Sequence, residues 1–327
     1  MNAILIDTDV GTDVDDALAL ALAACWAAVD LRAVTTVTTN PRLRARLARK
    51  LMLLAGRPDV AVAAGCGPTL LRTKPGLSLG HEGQGILENS EDGQDFHPEH
   101  AVDLIVDTLR NSPTKPTLVC MGPLTNVALA IIKEPFIVER LERVILVGGC
   151  LSAERMGGGE FDIPEQVAHM LEHNLNSDGE AAQVVWEAGL PLLLVPTDLT
   201  YRLWFDEAEV ALIGSGSSPL RQALHAACEI WLPIFRGLTG GIGLPETFAR
   251  AYLHDPFAVA LAGNPALAQT RPAQVMLQSL DGQLRTREIA GGPPNMEIVT
   301  ALDAPMAKDL ILRCLTGTCD AADEGMG

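Results

Sequence analysis

Ten residues near the start of the chain, Asp7-Thr8-Asp9-Val10-Gly11-Thr12-Asp13-Val14-Asp15-Asp16, carry five carboxylates. Like charges this close raise one another's pKa values and cost stability unless something neutralises them. A helix N-terminus offsets roughly 0.3–1 kcal/mol per charge, which accounts for Asp13 and Asp15 as capping or loop acids. It does not account for Asp7 and Asp9, which end an apolar run. A divalent cation neutralises far more, and an all-oxygen donor set selects a hard ion, Ca²⁺ or Mg²⁺. The spacing is not that of an EF-hand, which needs a preceding helix and Glu at the twelfth position, here Leu18.

Four further groups could do chemistry. The run Thr35-Thr36-Val37-Thr38-Thr39-Asn40 ends a strand in hydroxyls and an amide that could bind a sugar, or turns the chain at Asn40 before Pro41. Gly122-Pro123-Leu124-Thr125-Asn126 is a strand-to-helix turn whose carbonyls could face a hard cation, or a plain helix cap. Glu172-His173-Asn174, followed by Asp178, packs polar groups into an apolar stretch. His254-Asp255-Pro256 opens an apolar helix, where an N-cap Asp with Pro after it is ordinary helix chemistry. Trp231 and Phe235, four apart on an expected helix, share a face. They either pack in the core or line a pocket, with the glycine-rich stretch 237–243 as its lid.

The elements that must position these groups alternate. Strands are expected over 3–7, 31–37, 60–64, 117–121, 143–147 and 192–195, and helices over 15–28, 42–55, 101–110, 124–132 and 179–188. This βαβα rhythm predicts an α/β fold: an open, mostly parallel central sheet with helices on both faces. Helices are expected over 206–213, 219–235 and 302–314, and a hairpin over 274–277 and 284–288 around Asp281-Gly282. No repeat or linker divides the chain, so residues 1–315 are expected to form one domain and 316–327 a disordered acidic tail. In such sheets ligands bind beyond the carboxyl ends of the strands, where the acidic and glycine-rich clusters fall.

Composition narrows the partners. Twenty-four Lys and Arg against 41 Asp and Glu give a formal charge of -17, which repels nucleic acid and anionic membranes and suits a neutral ligand or a bound cation. Aromatics are only 4% of the chain, which favours helix–sheet packing over an aromatic-rich sandwich. Seven cysteines, widely spaced and without a C-x-x-C pair, read as reduced thiols of a cytoplasmic protein. The first residues lead straight into a strand, leaving no room for a signal peptide, and no run is long and apolar enough to span a membrane.

Taken in order, the motifs resemble the inosine–uridine preferring nucleoside hydrolase family. The acidic first loop is followed by an Asn-ended second strand, G-P-L-T-N-x-A-L-A, a G-G turn, E-x-N with D-x-E-A-A behind it, and H-D-P-x-A-V-A. The match runs from Ile4 to about Ala260. It implies a nucleoside hydrolase fold and hydrolysis of the N-glycosidic bond of ribonucleosides through an oxocarbenium-like transition state, in nucleoside salvage. It also implies a Ca²⁺ cofactor, a small-molecule nucleoside as the partner, and a homodimer or homotetramer. By resemblance, Asp9, Asp16, the Thr125 main-chain carbonyl and Asp255 hold Ca²⁺, and Asp15, Asn40, Glu172 and Asn174 hold ribose hydroxyls. Asp9 is the general base for a calcium-bound water, and His254 protonates the leaving base.

The chain departs from the family pattern twice. The usual D-x-D-P-G-x-D-D has Val10 for Pro and two extra residues before the last acid pair, which leaves Asp13 without a role. Where the family often has H-G-x-D-G-L-G, this chain has Leu79-Gly80-His81-Glu82-Gly83-Gln84-Gly85. Leu79 stands in the histidine's place, Glu82 in the acid's, and His81 is one position off; both His81 and Glu82 are candidate substrate contacts. Two alternatives stay open: a haloacid-dehalogenase-like Mg²⁺-dependent phosphatase with Asp7 as nucleophile, and a calcium- or sugar-binding protein without turnover. The phosphatase pattern expects Thr four residues after its first Asp, where this chain has Gly11, with Thr12 one later.

Overall fold

The computed structural model describes residues 1–72, 76–90, 92–280 and 282–319. Among the described residues twelve strands and twelve helices alternate, regularly through the first two thirds of the chain and less so after that. The strands are β1 (Asn2–Thr8), β2 (Val29–Thr36), β3 (Ala61–Ala64), β4 (Thr117–Cys120), β5 (Arg143–Val147), β6 (Leu192–Val195), β7 (Trp204–Phe205), β8 (Ala251–Tyr252), β9 (Ala268–Ala273), β10 (Val275–Leu280), β11 (Gln283–Glu288) and β12 (Met296–Leu302). The helices are α1 (Asp15–Cys25), α2 (Pro41–Leu54), α3 (Ala101–Asn111), α4 (Thr125–Lys133), α5 (Glu165–Met170), α6 (Asn174–Ser177), α7 (Gly179–Glu187), α8 (Thr197–Thr200), α9 (Glu207–Gly214), α10 (Pro219–Gly241), α11 (His254–Gly263) and α12 (Ala304–Thr316).

Eight strands form one sheet in the order β3-β2-β1-β4-β5-β6-β12-β9. Neighbours are parallel except β9, which runs antiparallel to β12. The expected open, mostly parallel sheet is what the chain forms. Side chains alternate across it as the pleat requires: Ile4 and Ile6 of β1 join a core with Leu18, Leu47, Phe257 and Leu310 on one face. Leu5 joins Ile105, Val127 and Val185 on the other. Both faces are therefore covered, which explains why β1 is buried from Ile4 to Thr8 rather than alternating.

The structure differs from the expected elements in the long helix and in several strands. The expected helix 219–235 continues to Gly241, through Pro233 and three glycines. A Pro or Gly inside a helix is costly in isolation; here burial of Trp231, Phe235 and Thr239 along one face prevails. The glycine-rich segment is thus largely helical rather than a loose lid. Strands β7, β8, β9 and β12 have no counterpart among the expected strands. Of the expected tail, Thr316 ends α12 and Gly317 caps it in the left-handed conformation; 320–327 lie outside the described residues, as does Asp281 of the expected turn. Among the described residues no helix is long and apolar enough to cross a membrane.

Candidate active site

The strand order reverses at β1 and β4, the switch point where open α/β sheets bind ligands. A cavity of about 320 Å³ opens there. Its floor comes from residues just past the strand ends: Asp9 after β1, Thr38 after β2, Met121 after β4, Val147 at the end of β5 and Thr197 after β6. Two helix N-termini converge on it, α1 bringing Asp15 and Asp16, α11 bringing His254 and Asp255.

Oxygens of Asp15, Asp16 and Asp255 lie within 4.8 Å of one another, and all three residues are buried. Asp16 accepts a bond from the Thr8 hydroxyl. Asp15 accepts one from the Asp16 amide at 3.1 Å. Burial, and then mutual repulsion, pushes all three carboxyls well above the ordinary range. Asp13 is raised to about 7 mainly by burial. Asp9 is raised by burial too, with the Arg44 guanidinium opposing the shift. Among the described residues no Lys or Arg pairs with Asp9, Asp13, Asp15, Asp16 or Asp255. An unpaired, oxygen-only cluster aided by two helix dipoles suits a hard divalent cation.

Opposite the cluster, Asn174 donates to the main-chain carbonyls of Met121 and Val147, both at 3.0 Å. Glu172 accepts from the amides of Leu175 (2.8 Å) and Asn176 (3.1 Å). Burial raises its pKa and these amides oppose the rise. A side chain at Gly148 would place its Cβ 3.1 Å from Glu172 Oε1, and one at Gly122 would come 2.9 Å from Asp9 Oδ1. Both strand ends must therefore stay bare for the carboxylates to sit where they do.

The His254 ring borders the cavity with Nδ1 2.6 Å from the Thr200 hydroxyl. Tyr201 packs edge-on at 4.5 Å and Tyr252 stacks at 5.4 Å. Burial pushes the His254 imidazole down to about 3, and the neighbouring His173 adds to the fall. The ring is therefore neutral at neutral pH.

The other end of the cavity is apolar. Trp231 and Phe235 stack at 5.2 Å, and Leu77, Leu79, Leu238 and Ile242 complete the wall. The hydroxyl of Thr239 is spent on the Phe235 carbonyl at 2.8 Å.

Asp9, Asp15, Asp16, Glu172, Asn174, His254 and Asp255 meet at one cavity. Five other expected positions do not line it. Asn40 is exposed and caps α2 by accepting from the Leu43 amide at 3.1 Å; Thr38 takes the cavity wall instead. The Thr125 hydroxyl donates to Asp178 at 2.6 Å. Glu82 turns back to accept from the amides of Leu79 (2.7 Å) and Gly80 (2.9 Å). His81 lies behind the wall, stacked on Trp231 at 5.7 Å. Asp7 faces away and accepts from Thr35 (2.5 Å) and Asn126 (2.8 Å). Asn126 also donates to the Thr36 carbonyl at 3.0 Å and accepts from Cys66 N at 2.9 Å, so the last residue of G-P-L-T-N ties strand ends together. A nucleophilic Asp7, as the phosphatase alternative requires, would have to point the other way.

Sequence reasoning missed Tyr201, Thr200 and Tyr252, whose positions carry no local signal. It also passed over Arg44, which had one: it lies on the apolar stripe of α2 with Leu47, Ala48 and Leu51.

A switch-point cavity joining a buried carboxylate cluster to an apolar aromatic wall suits a cation-binding enzyme of the α/β class. Comparison with known proteins narrows this. A model of the family described as inosine–uridine preferring nucleoside hydrolase matches residues 4–309. The chain is 31% identical over 288 residues to an uncharacterised protein of Schizosaccharomyces pombe, covering 84% of each. It is 29% identical over 261 residues to the pyrimidine-specific ribonucleoside hydrolase RihA of Salmonella arizonae, covering 79% of this chain and 78% of the relative. A purine-preferring ribonucleoside hydrolase from Gardnerella vaginalis superposes with a TM-score of 0.79 at 23% identity, covering 97% of this chain and 98% of the other. The chain belongs to the inosine–uridine preferring nucleoside hydrolase family, whose members are enzymes that hydrolyse the N-glycosidic bond of ribonucleosides; the phosphatase and non-catalytic alternatives are not favoured.

Proposed function

We propose that the chain hydrolyses ribonucleosides with the sugar held at the carboxylate end of the cavity and the base against Trp231 and Phe235. The observation that carries this reading is the unpaired cluster of Asp15, Asp16 and Asp255 facing Glu172 and Asn174 across one cavity. Asp16 and Asp255, with Asp9 at their edge, would hold a Ca²⁺ ion; the Thr125 carbonyl belongs to this set only by resemblance. Asp15 would serve both the ion and a ribose hydroxyl. When bound, the ion orients the sugar hydroxyls and an attacking water and makes that water more acidic.

The chain's own groups do the rest. Asp9, which lines the cavity beside the cluster, would accept the water's proton. Glu172 and Asn174 fix the sugar, their own geometry set by the Met121 and Val147 carbonyls and the Leu175 and Asn176 amides. His254 is neutral, so its part is to donate a hydrogen bond from Nε2 to the departing base rather than to deliver a free proton. This holds in the tautomer where Thr200 donates to Nδ1. The apolar wall offers stacking and few hydrogen bonds to a base edge, which favours neutral heteroaromatic bases and weak discrimination among them.

Inosine, guanosine, adenosine, uridine and cytidine assayed for released reducing sugar test the reading. Release from several, with a spread of about 10²-fold or less in kcat/KM, is expected. Cleavage of phosphate esters without sugar release from any nucleoside would overturn it.

A further inference from the structure

Arg44 is 1% exposed. All five of its guanidinium hydrogens are spent, and none on a carboxylate. Nη1 donates to the Asp9 carbonyl and, at 3.0 Å, to the Val10 carbonyl. Nη2 donates to the hydroxyls of Thr12 (2.9 Å) and Thr39 (3.1 Å). Nε reaches the Thr38 carbonyl at 3.3 Å and the Thr39 hydroxyl at 3.4 Å. One side chain thus joins the acidic first loop to the turn after β2. Both partners need holding. Thr38 and Thr39 sit at φ 65° and 49°, which side-chain-bearing residues rarely adopt. The first loop carries the two extra residues before Asp15. Thr12 is gripped twice, since its carbonyl lies 2.8 Å from His81 Nε2, and His81 stacks on Trp231.

A buried arginine without an ion pair is expensive, so a role that needs only bulk or charge is a poor account of it. Its planar fork reaches several acceptors in fixed directions, which a lysine ammonium does not. We propose that Arg44 is a positioning residue for the reaction, holding the lengthened first loop through Asp9, Val10 and Thr12 so that the carboxylates of that loop converge on the cation and the sugar. This rests on the hydrolase reading above.

Two variants test it while leaving the formal charge unchanged, so that any effect on cation binding is geometric: Arg44→Lys and Thr12→Val. Each is measured in three ways: calorimetric Ca²⁺ titration of chelator-stripped protein, thermal midpoint in chelator, and kcat and KM for inosine. Arg44→Lys is expected to weaken Ca²⁺ binding and lower kcat by about 10- to 100-fold, as removal of groups that orient metal ligands does. Thr12→Val, which loses one hydrogen bond, is expected to weaken Ca²⁺ binding about fivefold with a midpoint close to wild type. Should Arg44→Lys fail to fold, Thr12→Val decides. Wild-type Ca²⁺ affinity and kcat in the folded variants, with only a lower midpoint, would make Arg44 structural and overturn the proposal. Wild-type protein that binds Ca²⁺ but releases no ribose would instead sink the hydrolase reading, leaving the Ca²⁺ affinities of the variants to judge Arg44.

Discussion

The two ends of the cavity are built on different principles. At the carboxylate end, proposed to hold the sugar, Asp9, Asp15, Asp16 and Asp255 stand on strand and helix ends, and Asn174 is pinned by two main-chain carbonyls. At the apolar end, proposed to hold the base, Trp231, Phe235, Leu238 and Ile242 come from one long helix and its cap, and Leu77 and Leu79 from an irregular segment. The carboxylate end is polar, buried and fixed by hydrogen bonds in several directions. The apolar end is held by packing, and two of its residues, Leu77 and Leu238, are exposed. On the proposed reading, chemistry that must be oriented to a fraction of an ångström sits on rigid elements, and the part that sets preference sits where substitution costs little.

The largest expected effect breaks the sugar end. Asp255→Asn should lower kcat/KM on the order of 10³-fold or more, because cation stabilisation of transition-state charge is worth several kcal/mol. The same variant should melt higher than wild type in chelator, since one member of a repelling buried cluster is gone; a lower midpoint there would contradict the cluster's electrostatics. His254→Gln should cost about 10²-fold in kcat for natural nucleosides, and much less for a riboside with a nitrophenolate leaving group, which needs no help to depart. An equal loss on both substrates would remove His254 from leaving-group assistance. At the base end, Trp231→Ala should raise KM about tenfold through lost stacking, with a smaller change in kcat, checked by steady-state kinetics on inosine and uridine.

The smallest expected effect concerns Asp7, which is next to the site yet outside it. Asp7→Asn should leave kcat within about twofold of wild type, because the amide oxygen can still accept from Thr35 and Asn126. Its effect should appear in stability. Burial raises the Asp7 carboxyl from 3.8 to about 7 in the folded chain, so the folded state binds the extra proton between those values. Stability therefore rises as pH falls through about 7 and is lost as pH rises. In chelator the thermal midpoint should climb from pH 8 to pH 6, less steeply in Asp7→Asn, as followed by far-UV circular dichroism.

This contrast also explains what could be read from the sequence. The sugar end was legible because a carboxylate cluster has few bland explanations and its members lie close together at strand and helix starts. The sheet was legible from its alternating apolar runs. Asn40 was misplaced because an Asn before Pro reads alike as a cap and as a ligand, and only the path of the turn decides. His81 and Glu82 sit in an irregular loop whose side-chain directions follow from tertiary contacts, not periodicity. Trp231 and Phe235 were paired on one face, but whether that face meets the core or a cavity depends on what packs opposite; here they do both. The strands β9 and β12 were missed because much of β9 is exposed and reads as polar coil.

A divalent cation bound by the carboxylate cluster is proposed to enable ribonucleoside hydrolysis. Protein stripped with chelator, shown to be folded, and then titrated with Ca²⁺ while ribose release from inosine and uridine is followed tests it most directly. No release without the ion, and saturable recovery as Ca²⁺ is added, are expected. Full-rate release from stripped protein, or none from the fully loaded protein, would contradict the proposal.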